Sequence, residues 1–133
     1  MERDLVCVVC PMSCALKVRL GEDGTVLTSG NRCPRGARYA AEEFLDPRRV
    51  VSATARIRAA DAPERGEVGA VARVPVRTAG PFPRERIAEL LEAVYALEVA
   101  LPVRRGQVLI PDALGTGVDL IATRSLPFPP AGA

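Results

Sequence analysis

Four residues in this sequence could act together in metal or redox chemistry: Cys7, Cys10, Cys14 and Cys33. They are all the cysteines of the chain, and they lie in its first quarter as Cys-x2-Cys-x3-Cys, followed after eighteen residues by Cys33 and Pro34. That clustering belongs to a single site rather than to a disulfide framework. Three thiols within eight residues cannot converge from a regular helix or strand, so a loop must wrap them around a centre. Cys33 then closes over that centre from a distance, and Pro34 keeps a further amide away from its sulfur. A cubane cluster takes four thiolates at roughly tetrahedral positions, and a clustered triplet with one distant Cys-Pro is a common way to supply them. The pattern points to a [4Fe–4S] cluster, with [2Fe–2S] and structural zinc as the alternatives. Zinc sites more often show two short Cys-x2-Cys knuckles, whereas here the second half of the motif is Cys33 alone.

The rest of the composition narrows the chemistry further. The chain has no histidine, which removes the commonest general base and the imidazole metal ligands. With neither a nucleophile–base pair nor a pocket motif, independent catalysis is not expected. Net charge is +2 and Lys17 is the only lysine. The arginines are interleaved with acids rather than with aromatics, which argues against nucleic-acid binding. The N-terminus is charged and no apolar stretch approaches the ~20 residues of a membrane span, so a cytoplasmic protein without a membrane span is expected. Near the cysteines in sequence stand Lys17, Arg32, Arg35 and Arg38, which could offset the negative charge of a thiolate cluster. Arg32 and Arg38 could equally be part of a solvated face. Gly115-Thr116-Gly117 does not extend to a G-x-G-x-x-G phosphate loop, because Leu120 fills the third position, and reads as a tight turn.

The elements that must position the thiols can be read from periodicity. Asp4 to Val9 predicts a short strand leading into the cysteines. Leu16, Val18 and Leu20 alternate with Lys17 and Arg19, Gly21 to Gly24 is a turn, and Thr25 to Thr28 returns, which predicts a β-hairpin. Gly30-Asn31 turns the chain again and delivers Cys33. Pro34 suits the first position of a helix, and Ala37, Ala40, Ala41 and Phe44 continue it until Asp46-Pro47.

Beyond residue 48 the texture changes. Val51 to Ile57 and Val68 to Val76 alternate as two strands that should pair. Phe82-Pro83 opens a helix with Ile87, Leu90, Leu91, Val94 and Leu97 on one side. Val103 to Ile110 and Val118 to Thr123 predict two more strands. The tail from Pro127 to Ala133 should be poorly ordered.

The run from Cys7 through Cys10, Pro11 and Cys14 to Val18, with Gly30-Asn31-Arg32-Cys33-Pro34-Arg35-Gly36, resembles the N-terminal iron–sulfur segment of molybdopterin oxidoreductases such as formate dehydrogenase. The resemblance covers residues 5–40. It implies a [4Fe–4S] cluster held by the four cysteines, with Arg35 in the basic position of the C-x-K/R-G element. Pro11 stands where a small residue is usual, the Cys14–Cys33 interval is short, and the pterin-binding domains are absent, so a molybdenum cofactor is not implied.

The whole chain is similar to a small bacterial and archaeal family labelled as a domain of unknown function. The similarity rests on the four cysteines, the C-x-R-G-x-x-Y-A-x-x-E run from Cys33 to Glu42, Pro75 to Thr78, and Leu114 to Asp119. Such proteins are typically encoded with two flavoproteins, one resembling anaerobic glycerol-3-phosphate dehydrogenase and the other an NAD(P)H-linked FAD oxidoreductase. That similarity implies an electron-transfer subunit, itself not an enzyme, between an FAD-dependent dehydrogenase and an NAD(P)H/FAD oxidoreductase.

These readings give an α+β chain: an iron–sulfur hairpin lobe over 1–48, a mostly antiparallel β lobe with one amphipathic helix over 49–126 that docks partners, and a flexible tail over 127–133. The metal ligands are Cys7, Cys10, Cys14 and Cys33, and the cofactor-binding candidates are Arg35 and Lys17. A structural zinc scaffold and a cluster-based redox sensor are the competing functions.

Overall fold

The computed structural model describes residues 1–63 and 71–127. The chain divides into two compact units, Met1–Pro47 and Arg48–Ala133, and its class is α+β.

In the first unit, β1 (Glu2–Val6), β2 (Ala15–Leu20) and β3 (Val26–Ser29) form an antiparallel meander. β1 pairs with β2 from Glu2↔Arg19 to Val6↔Ala15. The strand expected to run on to Val9 therefore stops at Val6, because the chain must leave the ladder to make the cysteine loop. β3 starts one residue later than expected, since the amide and hydroxyl of Thr25 both bond Asp23 Oδ1 in the turn. Alternation in β2 sends Leu16 and Val18 inward, where they are buried with Cys7 and Ala40, and leaves Lys17, Arg19 and Leu20 exposed. Helix α1 (Pro34–Leu45) begins at Pro34, which needs no amide in the first turn, and packs Ala40 into this core. Phe44 lies against the same cluster, and Arg3 of β1 sits over its ring at 5.5 Å.

In the second unit, β4 (Arg48–Arg49) pairs with β7 (Phe82–Pro83). The main sheet contains β5 (Ser52–Ile57), β6 (Arg73–Thr78), β8 (Glu98–Val99), β9 (Val108–Ile110) and β10 (Leu120–Ala122), in the order β8-β5-β6-β10-β9. All its pairs are antiparallel except β5 with β8. β5 and β6 pair as expected, in the register Ser52↔Arg77 to Arg56↔Arg73. Val68 and Ala70 of the expected strand lie outside the described residues, as does the tail beyond Pro127.

Helix α2 (Ile87–Ala96) starts later than expected. Phe82-Pro83 is strand, and Arg84–Arg86 form a 3-10 turn before it. Leu90 and Val94 of α2 join Val74, Val76, Phe82 and Leu120 in a core with no exposure above 1% among these six. Removing a Val or Leu side chain from water is worth roughly 1.5–3 kcal/mol, so this cluster holds the unit together. The strand expected from Val103 is broken by a turn in which Gln107 N–H bonds Arg104 C=O at 2.9 Å. Val103 keeps a single bridge to Leu126.

Two family-like runs serve this architecture. The Thr78 hydroxyl, fully buried, accepts the Val51 amide at 3.0 Å. Pro75 sits in a central strand without an N–H to donate, but its carbonyl accepts the amide and hydroxyl of Thr123 at 2.9 and 3.1 Å. In the Leu114 to Asp119 segment, Asp112 accepts the Gly117 amide at 2.6 Å, Asp119 accepts the Asp112 amide at 2.8 Å, and Arg86 donates to Leu114 C=O at 2.8 Å. The loop spends its amides on itself and is the tight turn that its sequence suggests.

Gly30 ends β3 with φ +89°, and a Cβ there would collide with the Ala15 carbonyl oxygen, whereas Gly24, at φ +82°, faces open space. Gly30→Ala should destabilise the first unit by about 2 kcal/mol or more, against about 1 kcal/mol for Gly24→Ala. Urea titration read through hydrogen-exchange protection in β2 and β3 would check this. Equal losses for the two would contradict the clash.

Candidate metal centre

The cysteines arrive from two segments. Cys7 and Cys14 stand at the two ends of the β1–β2 hairpin loop, directly after Val6 and before Ala15, and the Cys7 amide donates to the Cys14 carbonyl at 2.9 Å. Residues 8–13 form the excursion between them and carry Cys10. Ser13 takes a left-handed φ of 49°, and its hydroxyl reaches back to Pro11 C=O. Cys33 is the N-cap of α1 with extended backbone. Asn31 Nδ2 bonds its carbonyl at 3.1 Å, which fixes how the chain enters the helix. All four cysteines are free thiols; Cys7 is buried and the other three are half-buried.

Arg35 ties the two segments together electrostatically. Its pKa is raised by the cysteines, by Cys33 foremost and then by Cys10 and Cys7. The Cys33 sulfur completes no capping hydrogen bond. The amide of Gly36, which also donates to the Cys33 carbonyl at 3.2 Å, and after it the Arg35 side chain and amide nevertheless hold the thiol below its usual range. A helix N-terminus with an adjacent guanidinium is an established way to favour thiolate.

Sequence reasoning missed Gly36 as a site residue. It is buried in the first turn of α1, and an added Cβ there would come 2.9 Å from Asn31 Cβ and 3.8 Å from Cys7 Sγ. Glycine weakens a helix interior by roughly 0.5–1 kcal/mol relative to alanine, so a glycine in the expected first helical turn, three residues after Cys33, was the available signal. Lys17, by contrast, is not brought to the cysteines. It stands on the outer face of the sheet with Glu2, Arg19 and Leu27, opposite the face on which Leu16 and Val18 meet Cys7. Tyr39 packs, half-buried, against the first-unit core.

The donor set is four thiols with no imidazole in the chain, which suits iron–sulfur or zinc chemistry. Among the described residues, no three His, Cys, Asp or Glu side chains converge on one point where a single metal ion could sit. The fit to either group therefore rests on the chemistry of the donors, and Cys7, Cys10, Cys14 and Cys33 would be its holders.

The family model for DUF1667, a protein of unknown function, matches residues 34–124. The chain belongs to this family. The DUF1667 match begins immediately after Cys33, so it takes in α1 and most of the second unit but none of the four cysteines. The fold is similar to the NMR structure of the Clostridium perfringens protein CPE0013. The likeness has a TM-score of 0.51 at 22% identity and covers 65% of this chain and 92% of that one. No curated protein matches the chain. Among the described residues, no helix is long and apolar enough to cross a membrane.

In the metal-free protein, Arg35→Ala should raise the pH at which Cys33 is half-maximally alkylated by iodoacetamide, because the guanidinium that favours the thiolate is gone. Mass-spectrometric mapping across a pH series would read the shift. An unmoved midpoint would show that the guanidinium does not act on this sulfur.

Proposed function

We propose that this chain is an iron–sulfur electron-transfer subunit in which Cys7, Cys10, Cys14 and Cys33 hold one [4Fe–4S] cluster. The observation that carries the reading is the approach of the two cysteine segments at the start of α1, where a Cβ on Gly36, three residues after Cys33, would lie 3.8 Å from the Cys7 sulfur and Cys14 is tied to Cys7 across the hairpin. When bound, such a cluster takes up and releases single electrons. The chain's own residues set the conditions for that. Cys7 buries its side of the site with Leu16, Val18 and Ala40, which excludes water. The Gly36 amide and the Arg35 guanidinium supply positive charge beside an anionic centre.

The partners in this reading are two cytoplasmic flavoproteins, an FAD-dependent dehydrogenase of the glycerol-3-phosphate type and an NAD(P)H/FAD oxidoreductase. Support for them is the resemblance in the Cys33 to Glu42, Pro75 to Thr78 and Leu114 to Asp119 runs. The chain relays electrons between them and is not itself the enzyme.

Anaerobic purification should give a brown protein with about four iron and four sulfide per chain, bleached by dithionite. Cys33→Ser should lose or convert the cluster and loosen Met1–Pro47, since metal binding and folding are coupled. Zinc in place of iron, or a Cys33→Ser protein with an unchanged spectrum, would overturn the assignment. Reversible bleaching without electron exchange with either flavoprotein would instead point to a sensor.

Arg35 gives a second test. Reduction adds a negative charge, so the guanidinium stabilises the reduced state more than the oxidised one. Arg35→Ala should therefore lower the reduction potential by some tens of millivolts at full iron content, on a scale where ~59 mV is tenfold for one electron. A potentiometric titration reads this directly, and an unshifted potential would reduce Arg35 to a surface residue.

A further inference from the structure

Val6, Val8, Val9 and Met12 are 55%, 72%, 44% and 59% exposed. The loop that carries three of the cysteines, with the residue just before it, thus turns four large apolar side chains outward. The first-unit core does not use them, being built from Cys7, Leu16, Val18 and Ala40 with their neighbours. The second unit was expected to offer the apolar docking face, on the strength of its Val, Ala and Leu content. Its described residues expose only Val50, Tyr95 and Val108 among the large apolar side chains, because its core absorbs the rest.

The same loop is bordered by positive charge. Arg35 lies within electrostatic reach of Cys10 and Cys7. Arg38 follows it by three positions on the same side of α1, and Arg32 precedes Cys33. All three are exposed, and among the described residues none pairs with a carboxylate. An apolar centre with a charged rim is the anatomy of a protein interface, and methionine is a side chain that adapts to a partner's contours.

We propose, resting on the electron-transfer reading, that the loop from Val6 to Met12 is the surface on which the redox partner docks, and that the partner meets it with a small apolar recess rimmed by Asp and Glu. A second copy of this chain is a poor occupant, because a two-fold contact would set arginine against arginine. An anionic membrane is the poorer fit as well: the loop has no Trp, Phe or Leu to seat at a lipid interface, and its rim has no lysine. Docking here would set the contact around Cys7, Cys10 and Cys14, three of the residues that would hold the cluster, with the apolar side chains expelling water from it.

The test uses the purified, cluster-loaded chain and the FAD-dependent dehydrogenase. Their dissociation constant is measured by calorimetry at low and high salt, with iron and sulfide determined on every sample. Val8→Glu/Met12→Glu should weaken binding about tenfold or more at unchanged iron content. Arg32→Glu/Arg38→Glu should do the same at low salt and flatten the salt dependence. Should the double loop variant fail to load its cluster, Met12→Glu alone, which neighbours no cysteine, carries the apolar arm.

Unchanged affinity in the loadable variants would overturn the docking surface, as would a wild-type chain that ignores the flavoprotein but sediments with phosphatidylserine vesicles. A wild-type chain without iron that still binds the flavoprotein through this loop would overturn the electron-transfer reading and leave the docking surface standing.

Discussion

The hydrogen bond from the Cys7 amide to the Cys14 carbonyl, 2.9 Å long, closes the hairpin loop on which the rest of the first unit depends. It holds two sulfur-bearing residues side by side at the head of a ladder whose next pair is Val6↔Ala15. That ladder fixes the register of β2, and register decides that Leu16 and Val18, not Lys17 and Arg19, face α1. Ala40 then packs on them, which sets the height of the helix and brings its N-cap, Cys33, back over the loop. Two glycines make the approach possible. Gly30 leaves room for the Ala15 carbonyl, and Gly36 leaves room for Asn31 and for the Cys7 sulfur.

This arrangement rests on a thin core. The buried apolar residues of Met1–Pro47 are Cys7, Leu16, Val18 and Ala40, and α1 carries a buried glycine in its first turn. A unit of this size draws at most ~3–5 kcal/mol from its core and commonly adds a metal or a covalent staple. The cysteines form no disulfide, and in the proposed reading a thiolate-held metal centre is that addition. The cluster would then be a structural member as well as a redox group, and the strength of the fold and the presence of iron would rise and fall together.

The gathering of the four cysteines in one unit, Met1–Pro47, was the most legible part of the sequence, because thiol spacing is a local signal. The alternation of Leu16 with Lys17, Pro34 at the start of α1, and the pairing of the strand before Ile57 with the one ending at Thr78 were legible for the same reason. Boundaries set by longer-range bonding were not. Val8 and Val9 look like strand in isolation and are loop because Cys7 must reach Cys14. Phe82-Pro83 looks like a helix start and is strand because Arg48–Arg49 pair with it. Lys17 and Arg35 carry the same charge near the same cysteines in sequence, and only the sheet's two faces separate them. β8 was invisible, since two residues parallel to β5 leave no periodicity to read.

The two units differ in what their polar groups are free to do. In the second, Thr78 is committed to Val51, Asp61 to the Leu101 amide and to Arg58, Asp112 to Gly117, and Asp119 to Asp112. Among the described residues no buried side-chain nitrogen or oxygen lacks a partner. Its recurrent-looking runs, Pro75 to Thr78 and Leu114 to Asp119, do their work inside the fold. In the first unit the reverse holds. Four thiols are unbonded to one another, Arg32, Arg35 and Arg38 have no carboxylate partner among the described residues, and the loop around Cys10 exposes valine and methionine to water. Groups left uncommitted by the fold are the ones available to something outside it. They are gathered in the stretch before and at the start of α1, which is where the proposed function places its chemistry.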